Sequence, residues 1–264
     1  MKTSFVFRAS LTTVAGTLSA LAISTSANAA TFVDTELSLL VDVSGSISTS
    51  EFNLQKQGYV DAFNNADLFN NFISQGEIGK IAVNLIYWSS ATQQQQAVGW
   101  TLIDSVEASQ NFANAINATN RPFSGGTVIG SAINFATPLF FNNDFESARQ
   151  VIDVSGDGTS NPTTTAAARD AALAAGIDAI NGLVIGGGTS LFNFYDTNVK
   201  GGAGAFVLQA DTFADFAKTV EQKIKTEISQ PPRTTPEPAT LIGLLGLGAF
   251  GVVSKVKGRQ KQSV

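Results

Sequence analysis

The sequence predicts an α/β fold in which a doubly wound, mostly parallel central sheet is flanked by helices on both faces. Three observations support this prediction. Short apolar runs, typical of strands buried on both faces, alternate with stretches whose apolar residues recur at helical spacing. The alternation suits right-handed crossovers between parallel strands. Small polar and glycine residues follow several of the apolar runs, at the sheet edge where such folds bind ligands.

The first half of the folded region contains three predicted strands. The run from Leu37 to Val41 is short and mostly apolar, as expected of a central strand. A second strand runs from Lys80 to Trp88, and the polar segment from Gln95 to Trp100 predicts an edge strand. The intervening helices are predicted from Ser50 to about Asn65, with a short extension from Asp67 to Ser74.

The second half continues the alternation of helices and strands. Pro162 and Gly176 suit the first turn and the end of an alanine-rich helix. Helices are predicted from Asp104 or Ser105 to Asn117, Thr127 to about Phe135, Pro162 to Ala175, and Thr212 to Ile228. Strands are predicted from Gln150 to Ser155, Ile177 to Ile185, and Gly204 to Leu208.

Both ends of the 264-residue chain predict processing segments, which leaves one domain at residues 30–229. Residues 1–29 predict a secretory signal peptide. Lys2 and Arg8 supply its positive start, an apolar run extends from Leu11 to Ile23, and Ala27-Asn28-Ala29 fits the cleavage rule for small residues.

The C-terminal region predicts a proline-bearing linker at residues 230–238 and a membrane segment with a basic tail at residues 239–264. Pro236-Glu237-Pro238 is followed directly by an apolar stretch and then by four Lys and Arg residues. This tail resembles the PEP-CTERM sorting signal, which implies processing by an exosortase-type enzyme. Export to the cell surface or to an extracellular matrix is expected, with transient or permanent anchoring of the C-terminal segment in the membrane. A simple tail anchor is the alternative.

Composition excludes several kinds of chemistry. The chain contains no histidine and no cysteine, which removes Ser-His-Asp hydrolysis, imidazole-bound zinc and thiolate sites. Residues 30–238 contain 21 Asp and Glu but only 10 Lys and Arg, so this part carries a net charge of −11. Such a surface is expected to repel nucleic acid and anionic lipid.

The segment that follows the first strand predicts a metal-binding turn. Asp42, Ser44 and Ser46 are spaced by single residues around Gly45, so their oxygens can point at one spot. Hard cations such as Mg²⁺ and Mn²⁺ prefer oxygen ligands. The plainer alternative is that Ser48 or Ser50 caps the next helix while Asp42 only accepts hydrogen bonds from loop amides.

Asp42-x-Ser44-x-Ser46 resembles the metal-ion-dependent adhesion site (MIDAS) of von Willebrand factor A-type domains, in a poorly characterised bacterial subgroup. The resemblance covers roughly Thr35 to Ile228. That family completes its site with a threonine on a second loop and an aspartate on a third. Thr127 and Asp157 have the expected order, although Gly156 stands where many members have threonine.

The resemblance implies a binding module without catalytic activity. Ser44, Ser46 and Thr127 would contact Mg²⁺ or Mn²⁺, with Asp42 and Asp157 acting partly through water. A vacant position on the ion would then accept a carboxylate from a partner protein or from an extracellular matrix ligand.

Other interpretations of these residues remain open at this stage. Thr127 could be a plain helix cap. Asp42, Thr127 and Asp157 also resemble a haloacid-dehalogenase-type phosphotransferase, but Ser44 stands where its acid/base aspartate is required. A structural surface component with a purely stabilising metal is a third possibility. Asp153 is a carboxylate inside an apolar strand and therefore needs a partner. It could support the site, or it could face the more exposed start of the strand.

Overall fold

The structure, a computed structural model, describes residues 29–231 and confirms the predicted α/β fold class. The predicted signal peptide, apart from Ala29, and the predicted apolar tail lie outside the described residues, as does most of the linker. Within residues 29–231, no helix combines the length and apolar character that crossing a lipid bilayer requires.

The described residues form a seven-stranded sheet and a separate two-stranded sheet. The order of the large sheet is β4-β3-β2-β6-β7-β8, and β9 also pairs directly with β7. Strands β3, β2, β6, β7 and β9 are parallel, while β4 and β8 run antiparallel to their neighbours. The strands are β1 (Thr31–Val33), β2 (Thr35–Asp42), β3 (Ile81–Trp88), β4 (Gln94–Ile103), β5 (Phe145–Ser147), β6 (Gln150–Gly156), β7 (Ala179–Ile185), β8 (Gly201–Gly202) and β9 (Val207–Ala210).

Helices cover both faces of the large sheet, which gives the domain two apolar cores. On one face, Tyr59, Phe112 and Phe216 pack on the odd-numbered residues of β2; on the other, Ile133 and Ala168 pack on the even-numbered ones. The helices are α1 (Thr49–Asn64), α2 (Ala66–Asn71), α3 (Val106–Asn117), α4 (Ile129–Ala136), α5 (Pro162–Ala175), α6 (Gly188–Phe194) and α7 (Phe216–Ile228).

Most predicted elements are present, with differences at boundaries. The edge position of β4 is confirmed, although the strand extends beyond the predicted range. The last predicted strand begins at Val207 rather than Gly204, because Gly202 and Gly204 adopt positive φ values of 92° and 70° and turn the chain. The last helix begins at Phe216 rather than Thr212. Strands β1 and β5 form a small parallel pair that the sequence did not predict.

The described chain leaves the domain at the edge where the parallel strands begin, here called the amino edge. The side chain of Gln230 accepts a hydrogen bond from Arg149, which directly precedes β6. It also donates to the Gly204 carbonyl, 3.1 Å away, ahead of β9. The opposite edge, where β2, β3, β6 and β7 end, is called the carboxyl edge.

Asp153 lies in a fully buried ion cluster rather than at an exposed strand start. Lys223 Nζ of α7 is 2.6 Å from Asp153 Oδ1 and 2.5 Å from Glu227 Oε1, and all three side chains have no exposed surface. Asn181 Nδ2 donates to the same Glu227 oxygen at 2.9 Å. Burial raises the pKa of Asp153 and that of Glu227, while Lys223 opposes both shifts. The cluster ties α7 to the centre of the sheet.

Replacing Lys223 with methionine is expected to lower the free energy of unfolding by about 3–5 kcal/mol at pH 7, because two buried carboxyls lose their cation. Urea denaturation followed by circular dichroism measures the effect. Glu221→Gln is the matched control, since its partner Lys225 is partly exposed and such pairs contribute about 1 kcal/mol or less. Equal stabilities for Lys223→Met and wild type would show that the buried cluster is not required.

Candidate metal centre

The loop between β2 and α1 is fixed at both ends. Strand β2 ends at Asp42, opposite Trp88 of β3, and helix α1 begins after the N-cap residue Ser48. Ser48 and Glu51 form a reciprocal capping box, with Ser48 N donating to Glu51 Oε2 at 2.8 Å and Glu51 N donating to Ser48 Oγ at 3.3 Å. Ser48 therefore caps the helix, as the plainer alternative required, and five residues remain to form the turn.

Asp42 is fully buried, and one of its carboxylate oxygens has no partner among the described residues. Oδ1 accepts a hydrogen bond of 2.7 Å from the backbone N–H of Ser44, whereas Oδ2 makes none. Burial raises the pKa of Asp42 to about 7, although the Ser44 hydrogen bonds oppose the shift. A hydrogen bond from a loop amide thus accounts for only one of the two carboxylate oxygens.

The hydroxyls of Ser44 and Ser46 connect this turn to Asp157. Ser44 Oγ and Ser46 Oγ are 3.1 Å apart, and Ser46 Oγ donates to Asp157 Oδ1 at 2.8 Å. Ser46 is exposed, whereas Ser44 is buried. Asp157 follows β6 directly, and β6 is the parallel neighbour of β2, so the two strand ends place both carboxylates at the carboxyl edge. Burial also raises the pKa of Asp157.

The loop at residues 118–128 packs against the same turn. Gly45 N donates to the Gly125 carbonyl at 2.7 Å. The guanidinium of Arg121 donates to the carbonyls of Val43 and Ser44, at 2.8 and 2.6 Å. These bonds hold the backbone of the turn in place.

Thr127 lies beside the loop that carries Asp157. A Cβ atom placed on Gly158 would lie 3.4 Å from Thr127 Cγ2 and 3.6 Å from Thr127 Oγ1. Helix α4 begins only at Ile129, its N-cap residue is Val128, and no side chain caps it. Thr127 is therefore not the helix cap that the alternative interpretation required.

The residues gathered here suit a hard divalent cation. Three loops contribute two carboxylates and three hydroxyls, and the unpartnered Asp42 Oδ2 is a buried oxygen that a cation would satisfy. No group of three or more Asp and Glu side chains that could hold a metal occurs within residues 29–231. The candidate centre consequently relies on serine and threonine oxygens as well as carboxylates.

Two further residues hold the backbone of this turn, and the sequence did not single them out for this role. Gln55 Nε2 donates to the Asp42 carbonyl at 3.3 Å, and Arg121 binds the turn as described. The only sequence signal for Arg121 is a single positive charge beside a Gly-rich loop. The contact of Gln55 with the turn is not preceded by any recognisable pattern in the local sequence.

Family models match both the folded domain and the C-terminal tail of the chain. A family model described as "Protein of unknown function (DUF1194)" matches residues 32–232, and one described as "PEP-CTERM protein-sorting motif" matches residues 234–259. A search of curated proteins found no match.

Solved structures share the fold. Proximal thread matrix protein 1 from the mussel byssus superposes with a TM-score of 0.56 at 17% identity, covering 78% of this chain and 49% of that one. A structure of the same protein "with zinc occupied MIDAS motif" gives 0.54 at 17% identity, with 75% and 46% coverage. The pilus adhesin SpaC from Lactobacillus rhamnosus GG gives 0.51 at 13% identity, with 74% and 31% coverage. The match spans about half of the mussel protein, and the fold is that of a von Willebrand factor A-type domain.

In the presence of a chelator at pH 8, Asp42→Asn is expected to raise the free energy of unfolding by up to about 4 kcal/mol, since a raised pKa means that the folded state disfavours the charged form. The charged Asp42 lowers the wild-type free energy of unfolding as the pH rises from about 4 to about 7. The difference in free energy of unfolding between Asp42→Asn and wild type should therefore shrink towards pH 4. Urea denaturation at several pH values measures it.

Saturating Mg²⁺ should reverse the order, because only the wild-type site gains ligand stabilisation. Asp104→Asn is the matched control: this exposed carboxylate directly follows β4, at the amino edge. An Asp42→Asn variant less stable than wild type under chelation would contradict an uncompensated buried carboxylate.

Proposed function

Because the chain belongs to the family described as "Protein of unknown function (DUF1194)" and has a von Willebrand factor A-type fold, we propose that it is an exported, metal-dependent binding module. It acts at the cell surface or in an extracellular matrix, where it captures a carboxylate of a partner through a divalent cation. The role is adhesive rather than catalytic.

The observation that carries this proposal is the convergence of three loops on a buried carboxylate oxygen without a partner. Asp42 supplies that oxygen. The Ser46 hydroxyl, from the same turn, donates to Asp157 at 2.8 Å, and Thr127 lies against Gly158, which adjoins Asp157. Together with Ser44, these residues would hold the ion. The neighbouring Ser46 and Gly45 are exposed, so a partner can reach the site from solvent.

The preferred ion is Mg²⁺ or Mn²⁺, because all five candidate ligands offer oxygen and the chain has neither cysteine nor histidine. When bound, the ion supplies an open coordination position for an anionic oxygen. In the metal-bound site the charges of Asp42 and Asp157 would balance those of the divalent cation, while the hydroxyl ligands add none. One further carboxylate from a partner would therefore leave the site with a single net negative charge.

The sorting motif supports the proposed location. The PEP-CTERM match at residues 234–259 implies export and processing by an exosortase-type enzyme. We further propose the division of the chain into a signal peptide at 1–29, the domain at 30–229, a linker at 230–238 and a membrane segment with a basic tail at 239–264. The partner is a protein or another matrix component rather than nucleic acid.

Binding without turnover is favoured over phosphotransfer by the identity of the residue two positions after Asp42. A haloacid-dehalogenase-type mechanism needs a carboxylic acid there, whereas Ser44 is buried and bonded to Ser46. A purely stabilising metal is the remaining alternative, and chelator dependence of partner capture separates it from adhesion.

Isothermal titration is expected to show one site for Mg²⁺ or Mn²⁺ in wild type. The heat should disappear in Asp42→Ala and in Asp157→Ala, because each variant removes one of two carboxylates from the candidate ligand set. Asp104→Ala removes an exposed carboxylate at the other edge and should titrate like wild type. Absence of binding by wild type would refute the metal-dependent function.

Capture of a partner from surface material of the producing cell is expected to require the ion. The domain at residues 30–229 is immobilised, and eluates obtained with Mg²⁺ and with chelator are compared by mass spectrometry. A partner lost both on chelation and in Asp42→Ala supports adhesion through the ion. A partner retained under both conditions would favour the structural alternative.

A further inference from the structure

Tyr195 is a fully buried tyrosine whose hydroxyl has no hydrogen-bond partner among the described residues. It begins the π-helical turn Tyr195–Val199, which directly follows helix α6. Such turns are rare and occur frequently at functional sites. A buried hydroxyl without a partner is costly, so its retention calls for a reason.

Two glycines on neighbouring strands make room for this side chain. A Cβ atom on Gly182 of β7 would lie 2.9 Å from Tyr195 Cδ1, and one on Gly156 at the end of β6 would lie 2.7 Å from the Tyr195 hydroxyl. Any other residue at either position would collide with the ring or with its oxygen. The tyrosine therefore crosses β7 and β6 through a path that these glycines keep open.

The path ends at Asp42 on the next strand, β2. The same hypothetical Cβ on Gly156 would lie 2.8 Å from Asp42 Oδ2, so this oxygen and the Tyr195 hydroxyl flank a single point. Both atoms are buried, and neither has a hydrogen-bond partner within the described part of the chain. A phenolic O–H is a donor and a carboxylate oxygen is an acceptor, so the two groups have complementary chemistry.

We propose that Tyr195 is a positioning residue of the metal centre, and that its hydroxyl donates to Asp42 Oδ2, directly or through one water, when the ion is held. This contact fixes the orientation of the carboxylate between the Ser44 amide on one oxygen and the tyrosine on the other. Groups that orient metal ligands in this way are worth about 10- to 100-fold in metal affinity. The inference rests on the proposed function, because it assumes that the centre takes up a cation.

Tyr195→Phe tests this assignment, since it removes the hydroxyl and keeps the ring. Titration with Mg²⁺ and Mn²⁺ is expected to show an affinity at least about tenfold weaker than that of wild type. The metal-free stability should not fall, because none of the residues within 29–231 forms a hydrogen bond with this hydroxyl. A purely structural tyrosine would give the opposite pair of results.

Tyr59→Phe is the matched control. Tyr59 is equally buried, but its hydroxyl lies 3.2 Å from Ser155 Oγ on the other face of the sheet. This variant should lose metal-free stability and keep the wild-type metal affinity. Gly156→Ala provides a second variant, because its Cβ would separate the Tyr195 hydroxyl from Asp42 Oδ2, and it should also weaken metal binding.

The outcomes separate this inference from the function on which it rests. Wild type that binds neither Mg²⁺ nor Mn²⁺ overturns both. Wild type that binds the ion, with an unchanged affinity in Tyr195→Phe, overturns the role of Tyr195 alone. A tenfold loss in Tyr195→Phe, together with undiminished metal-free stability and normal binding by Tyr59→Phe, supports it.

Discussion

The burial of a carboxylate that lacks a full set of hydrogen bonds is the constraint around which this domain is arranged. Asp42 ends a central strand that has a neighbour on each side and helices over both faces, so its side chain is shielded from bulk solvent. Burying an uncompensated charge costs several kcal/mol unless a cation or a donor satisfies it. The turn after Asp42, the capped helix α1 and the hydrogen bonds from Arg121 to the turn keep this carboxylate in its buried position. The buried carboxylate thereby lowers the stability of the domain, a cost that is typical of functional sites.

The fold and the candidate ligands could be predicted because their signals are local. Apolar runs mark the strands, and parallel neighbours β2 and β6 bring the residues after them together. Asp42 and Asp157 therefore meet although 115 positions separate them. The structure brings the serine and threonine side chains named from the sequence to the same edge, and whether they bind an ion stays a prediction. The hydroxyl of Tyr195 could not be anticipated, because its approach depends on glycines in two other strands.

Other features escaped prediction for related reasons. The partner of Asp153 is on the last helix, 70 positions away, and nothing in the local pattern distinguishes Lys223 from the solvated lysines of α7. The small sheet of β1 and β5 consists of three-residue strands, which are too short to show a period. Ahead of β9, the positive φ values of Gly202 and Gly204 turn the chain at the point where the sequence predicted the start of the strand. Each miss concerns contacts between distant segments or strands of a few residues.

The position of Gln230 has a consequence for how the domain is displayed. This residue joins Arg149 and the loop before β9 at the amino edge, while the three loops of the candidate centre lie at the carboxyl edge. A tether that continued from this point would attach at the pole opposite to the candidate centre. A domain held by such a stalk would present the carboxyl edge away from the supporting layer, with the full height of the sheet as a spacer.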